Sequence, residues 1–274
     1  MRILMTTGGS LHSETALWLG AEIAALTSST PTILIVIESE EARDHADKVL
    51  KRASNIVTRV GSEAKTKIRI GKPKAEILAE TMEGDYDLLI IGERQLHSLR
   101  TRLFGSLPKR VLQKAPCALL IAKGQIKTIQ KVLICDSGTR EYTALPVIVE
   151  SPLFTLIEND VHVTVLHVMS QISAGPGVQG EQLRANAEEL ITAHAPEGEL
   201  LARDASLLNK RGIQPETKIR HGLVVDEILA EANGEDYDLV VLGTHAAEGW
   251  SRYLLADITA KVVEGIGRPV LVMR

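Results

Sequence analysis

The chain repeats itself. Thr66–Gly92, TKIRIGKPKAEILAETMEGDYDLLIIG, aligns without gaps to Thr217–Gly243, TKIRHGLVVDEILAEANGEDYDLVVLG, at a constant offset of 151, with 15 of 27 positions identical. The opening segments correspond as well, RILMTTGG from Arg2 beside KVLICDSG from Lys131, and so do the closing ones, APCALLIA and GRPVLVMR. Solenoid repeats run to roughly 20–45 residues, so this period marks a duplicated domain. Whatever fold one half adopts, the other must be able to adopt. The 274 residues accordingly divide into 1–126 and 127–274, joined through the polar stretch KGQIKTIQ, Lys123–Gln130.

Within each half, short apolar runs alternate with segments of helical period. In the first half RILMTT reads as a strand, SETALWLGAEIAALT as a helix capped by Ser13, PTILIVIE as a second strand, and SEEARDHADKVLKRASNIVTRV as a charged surface helix. TKIRI, KAEILAETM, YDLLIIG, SLPKRVLQK and CALLIA complete five strands with helices between them. Continuously apolar strands separated by helices predict a parallel sheet covered on both faces, and right-handed crossovers make it doubly wound. Ligands in such sheets sit beyond the carboxyl ends of the strands, at the switch in strand order. The second half departs in two places. EYTALPVIVESPLFTLIEND carries Pro146 and Pro152, and a proline inside a helix costs ~3 kcal/mol or more, so this helix should be short or kinked. SAGPGVQG, Ser173–Gly180, should form a loop in the second crossover.

Composition removes several function classes. A formal charge of −4 supplies no basic field for nucleic acid, and 3% aromatics leaves little for base stacking. No apolar run reaches the ~20 residues of a membrane-spanning helix, and MRILMTTGGS lacks the apolar core of a signal peptide. A cytoplasmic location is expected, with no nucleic-acid or membrane partner. Cys117 and Cys135 form neither a CxxC nor a zinc spacing and read as reduced, buried thiols.

The segment after DYDLLIIG distinguishes the two halves. In the first, Gly92 is followed at intervals by Gln95, Gly105 and Ser106, and Glu93–Lys114 holds six basic residues, Arg94 among them, against one acid. In the second, Gly243 is followed by Ala246, Ala256 and Asp257, and the matching window holds two basic residues against three acids. Glycines admit close backbone approach. A serine at a helix start, here followed by LPKRVLQK, presents N–H and O–H donors to an anion. On charge and glycine content, the first copy is the one suited to phosphate, and Asp257 would repel it in the second.

The strand DYDLLIIG, the glycine-serine pair and the closing APCALLIA resemble those of tandem universal stress proteins, over nearly the whole chain. Nucleotide-binding members of that family carry G-x2-G-x9-G-[ST]. Gly92, Gly105 and Ser106 match that pattern, Gln95 stands at its second glycine, and in the second copy only Gly243 matches. The resemblance implies two adenine nucleotide alpha hydrolase-like, Rossmann-like domains. It further implies an ATP or AMP pocket, with Mg accompanying ATP, and a cofactor-binding set of Gly8, Gly9, Val36, Gly92, Arg94, Gln95, Gly105 and Ser106. It also implies pairing of the two domains through their last strands within one chain, with a homodimer as a further option. The protein partner is unknown. Complete members place an aspartate after the first strand, where this chain has Gly8 and Ser137, with Asp136 one position earlier. Members lacking the motif need not bind nucleotide, and the alternative for this chain is an interaction or signalling module that binds no nucleotide, or another small ligand, in either pocket.

Catalytic constellations are sparse: no HExxH, GxSxG or Walker sequence occurs. TTGGSLHS, Thr6–Ser13, loosely resembles a pyrophosphatase SGGxDS loop but lacks its aspartate, so at most slow ATP hydrolysis is expected. His162 and His167 share a strand five residues apart and point to opposite faces. His221 and His245 lie at strand ends. The acids of Asp85/Asp87 and Asp236/Asp238 recur in both copies and suit strand entry. Glu76 and Glu227 read as exposed helix charges.

Overall fold

The structure is a computed structural model. It describes residues 1–92, 111–112, 114–124, 128–136, 144–158, 160–169, 185–243 and 250–274, with the backbone alone at 11, 12 and 250–257. It divides into two compact units, residues 1–127 with 269–272, and residues 128–268 with 273–274.

The first unit runs β1 (Ile3–Thr7), α1 (Leu11–Leu26), β2 (Thr32–Ile37), α2 (Arg43–Arg59), β3 (Lys65–Ile70), α3 (Pro73–Glu83), β4 (Leu88–Gly92) and β5 (Ala118–Ala122). The strands lie in the order β3-β2-β1-β4-β5, all parallel. The five residues of β1 and Leu88–Ile91 of β4 are all buried, as continuous apolar composition requires of central strands covered on both faces. α1 starts earlier than its periodicity suggests. Its cap is Ser10, whose side chain accepts from the Ser13 N–H, while the Ser13 hydroxyl donates back to the Ser10 carbonyl at 2.7 Å. The Gly8–Gly9 turn brings the chain into the helix three residues sooner than a cap at Ser13 would. α1 also approaches β1 closely: a Cβ on Gly20 would lie 2.2 Å from Met5 Sδ. α2 buries Ala46, Val49, Leu50, Ala53 and Val57 and turns its charges outward.

The second unit runs β6 (Lys131–Asp136), α4 (Ala144–Glu150), β7 (His162–Met169), α5 (Ala187–Thr192), α6 (Pro196–Asn209), β8 (Glu216–His221), α7 (Val224–Gly234), β9 (Leu239–Gly243) and α8 (Trp250–Gly265). Its strands lie in the order β9-β6-β7-β8, also parallel. The prolines act as expected. α4 is seven residues long, and Pro152 opens a separate 3₁₀ turn, Pro152–Leu156, capped by the Ser151 side chain on the Leu153 N–H. The chain's last strand, β10 (Val270–Met273), lies antiparallel to β5 and falls largely in the first unit.

One acid of each repeated pair stitches a strand start. Asp87 Oδ2 accepts from the Arg2 N–H at 2.7 Å, and Asp238 Oδ2 accepts from the Gln130 and Lys131 N–H groups, each at 3.0 Å. Cys117 and Cys135 are both buried thiols. No described helix is long and apolar enough to cross a membrane.

Candidate functional site

In the first unit the strand order reverses beside β1, whose neighbours are β2 and β4. Gly8 follows the end of β1, Gly92 ends β4, and Val36, half-buried, is the penultimate residue of β2. The sheet therefore brings these expected residues to one edge. Gly8 is exposed, and a Cβ placed on it would meet nothing within 4 Å among the described residues. Gly9 has a different role. Its φ of +74° is left-handed, its N–H donates to Thr7 Oγ1 at 3.2 Å, and a Cβ there would press on Val49 Cγ2 at 3.0 Å. Gly9 makes the turn, and Gly8 has the open side. Arg94, Gln95, Gly105 and Ser106 lie outside the described residues, as do Ser137, Ser173–Gly180 and His245.

Below the Gly9 turn is a cavity of about 20 Å³ lined by Thr7, Gly9, Val49, Arg52 and Ala53 among others, room for about one water. It is too small for a nucleotide.

The same spot in the second unit is built differently. The hydrogen bonds Ser62 N–H to Val57 O and Ile213 N–H to Leu208 O close the two helix ends at the same offset of 151. Arg203 therefore stands at the place of Arg52, and Asp204 at that of Ala53. Strand pairing sets Met5 opposite Ile90 and Ile134 opposite Val241, so Asp136 takes the place of Thr7. Where the first unit has a threonine, an alanine and a small void, the second has two buried carboxyls, Asp136 at 4% exposure and Asp204 at 0%. Asp136 is near enough to act electrostatically on Asp204. Arg203 donates to Asp204 Oδ1 from Nε at 3.1 Å and Nη2 at 2.9 Å, and among the described residues Asp204 Oδ2 has no donor. Burial first, then the adjacent Asp136, push the Asp204 carboxyl up to about 7, against the pull of Arg203.

Two histidines lie on β7 and β8 of this unit. His167, buried on β7, donates from Nδ1 to the Asp136 carbonyl at 3.3 Å, and burial holds its basicity below the usual range despite that contact. His221, at the end of β8, donates from Nε2 to the Ala185 carbonyl at 2.8 Å, and its buried Nδ1 has no partner among the described residues. Gly243 is also closed in: a Cβ there would lie 3.0 Å from both Cβ and N of Ala144. Sequence reasoning passed over Asp204. The available signal was an acid on the apolar stripe of α6, between the buried Leu200 and Leu208 at spacings of four.

Both units share one further cluster, away from the strand ends. Glu80, 1% exposed, accepts from Lys67 Nζ at 2.6 Å, Arg69 Nη1 at 2.9 Å and the Tyr86 hydroxyl at 3.0 Å. Glu231 accepts from Lys218 at 2.9 Å, Arg220 at 3.0 Å and Tyr237 at 2.9 Å. Burial alone would raise both carboxyls, but these donors outweigh it and hold them below the usual range. Glu76 and Glu227, expected as exposed charges, instead pair with Arg69 and Arg220 at 2.8 and 2.7 Å and are about one-quarter exposed. They lie on the turn of α3 and α7 that faces the arginine of the adjacent strand. Recurrence in both units marks this cluster as scaffold. Among the described residues no group of three or more His, Cys, Asp or Glu side chains could hold a metal ion.

Comparison with known proteins agrees with this architecture. Universal stress protein YxiE of Bacillus subtilis (strain 168) is 29% identical over 113 residues, 39% of this chain and 76% of that protein. The crystal structure of a universal stress protein from Archaeoglobus fulgidus DSM 4304 superposes with a TM-score of 0.72 at 17% identity, covering 100% of this chain and 96% of that one. A putative universal stress protein from Pseudomonas aeruginosa UCBPP-PA14 gives 0.69 at 18% identity, over 99% and 92% of the two chains. At these identities the structural likeness is one of fold. Residues 1–123 and 130–274 each match the model of the universal stress protein family, and the chain belongs to that family as a tandem of two such domains.

Proposed function

We propose that this universal stress protein is a non-enzymatic nucleotide sensor of the cytoplasm, with one adenine-nucleotide site, for ATP or AMP, in its first unit. The observation that carries the reading is the open space at Gly8, beside the switch between β1 and β4. A phosphate or ribose can reach the backbone there, and no carboxylate stands at the end of β1. The basic segment after Gly92, with Arg94, Gly105 and Ser106, supplies the anion-binding groups in this reading. In the second unit Ala144 packs against Gly243 at the end of β9, and an acid, Asp136, ends β6, an arrangement that disfavours phosphate. Binding would change the conformation presented to a protein partner.

Titration calorimetry of the full chain with ATP and with AMP, each with and without Mg, tests this. One site per chain is expected, lost in Gly105→Asp. Gly8→Val is the sharper variant: its backbone is not left-handed and its Cβ meets open space, so folding should be unaffected while binding is lost. No heat at millimolar nucleotide, or undiminished binding by Gly8→Val, would sink the reading.

A further inference from the structure

The carboxyl edge of the first unit is stepped. β1 keeps register with β2 as far as Thr7 opposite Ile35, whereas β2 runs on beside β3 to Ile37 opposite Ile70. The Gly71 N–H closes that end on the Ile37 carbonyl at 2.9 Å. β2 therefore extends two residues past its last pair with β1, and Glu38 is the first residue beyond it. With ~3.3 Å per residue and ~4.8 Å between strands, Glu38 lies roughly 8 Å from Gly8. A ribose 5′-phosphate and a glutamate side chain together can span that gap. Glu38 is exposed, and among the described residues its carboxylate has no hydrogen bond or ion pair. The acids that follow it are engaged: Glu40 Oε1 accepts from Arg43 Nη2 at 2.9 Å, and Glu41 accepts from the Ser39 hydroxyl. Charge is also divided across the edge. Glu38, Glu40 and Glu41 follow β2 on one side of β1, and the segment that follows β4, on the other side, holds six basic residues against one acid.

We propose that Glu38 reads the sugar at the nucleotide site of the first unit: its carboxylate accepts from the 2′ and 3′ hydroxyls of the ribose, so the site takes ribonucleotides in preference to deoxyribonucleotides. This rests on the nucleotide reading above and adds to it the sugar and the direction in which the ligand lies. In doubly wound sheets that hold a nucleotide at the switch in strand order, an acid at the end of the second strand meets the ribose hydroxyls. The chemistry is simple: an ionised carboxylate only accepts, and a vicinal diol offers two donors. The order β3-β2-β1-β4 sets the strands in that arrangement here. The division of charge then sets one direction, phosphates toward the basic segment after Gly92 and sugar toward β2. In the reverse direction the phosphates would meet Glu38, Glu40 and Glu41. The same carboxylate repels a phosphate carried on the 2′ or 3′ position, so the class selected is a ribonucleotide with a free diol. In the second unit Met169 stands opposite His221 as Ile37 does opposite Ile70, which puts Ser170 at the place of Glu38. The sugar reading therefore belongs to the first unit.

Titration calorimetry of the full-length chain with ATP, 2′-deoxy-ATP and 3′-deoxy-ATP tests this, on the wild type, Glu38→Ala and Glu41→Ala. A hydrogen bond to an ionised acceptor is worth about ten-fold or more in affinity. Wild type should therefore bind ATP about ten-fold more tightly than either deoxy form. Glu38→Ala should bind all three alike, near the affinity of wild type for the deoxy forms. Glu38 has no polar partner to lose, so this variant should melt at the wild-type Tm. Glu41→Ala removes a neighbouring charge that Ser39 already holds, and should keep the preference for ATP. Equal affinity of wild type for ATP and its deoxy forms, a preference that survives Glu38→Ala, or one that is lost equally in Glu41→Ala, would overturn the inference and leave the nucleotide site standing. No heat with any of the three nucleotides would overturn the nucleotide reading itself, and this inference with it.

Discussion

Replacing Glu80 or Glu231 by glutamine should destabilise the two units unequally, and the structure says which suffers more. Each glutamate is buried, and each accepts from a lysine, an arginine and a tyrosine. Glutamine keeps the shape, removes the charge, and turns an amide NH₂ toward a cation. Breaking a fully buried pair costs about 3–5 kcal/mol, but these pairs are only partly buried. Lys67 is 47% exposed and turns to water, and Arg69 keeps Glu76 and Glu83 at 2.8 and 2.7 Å, so about 2 kcal/mol is expected for Glu80→Gln. In the second unit Lys218 is 27% exposed, and Arg220 keeps only Glu227, because Gly234 stands at the repeat position of Glu83. About 3 kcal/mol is expected for Glu231→Gln on the same reasoning. With a urea m-value of about 2 kcal/mol/M, the midpoints fall by roughly 1 and 1.5 M. Trp18 and Trp250 lie one in each unit, so urea unfolding followed by fluorescence in single-tryptophan backgrounds reads each unit separately. A smaller cost for Glu231→Gln than for Glu80→Gln, or a cost under about 0.5 kcal/mol for both, the level of an exposed pair, would refute this ordering.

The same two carboxyls predict an acid limb. Their folded-state values lie below the unfolded ones, so their stabilisation is present above the ordinary glutamate range and is lost as the pH falls through the folded values. Thermal melts from neutrality downward should show that loss, reduced in the double glutamine variant. Gly9→Ala should lower stability by about 1–2 kcal/mol, through the left-handed backbone and the Val49 contact, seen as a fall in Tm; an unchanged Tm would contradict the turn described here. Burial, with Asp136 and Glu231 nearby, pushes the Cys135 thiol far up, so a thiol reagent should label it only after denaturant is added, and rapid native labelling would show that this core opens.

Much of the fold was legible along the chain. The strands were readable because a sheet covered on both faces needs runs such as LLIIG and LVVLG without polar interruption. The broken helix after β6 was readable because proline acts locally. The start of α1 was misplaced because Ser10 and Ser13 are both good caps, and the choice between them rests on the Gly8–Gly9 turn, where Gly9 takes a left-handed φ. Gly8 follows β1 and Gly92 ends the neighbouring β4, but nothing in TTGGS tells the turn-making glycine from the open one.

The sequence alone determined that this chain is a duplicated α/β protein of the universal stress protein family, because the repeat, the alternation and the strand composition are properties of neighbouring residues. Tertiary structure decided what the repeats do with their differences. Asp204 is an ordinary acid on α6 until packing buries it near Asp136, and Glu76 and Glu227 look like surface charges until β3 and β8 set an arginine beneath each. The physical reason is the same in each case. Whether a charge is solvated, paired or forced to keep its proton depends on which helix face meets which strand, and that is fixed only by contacts distant in sequence.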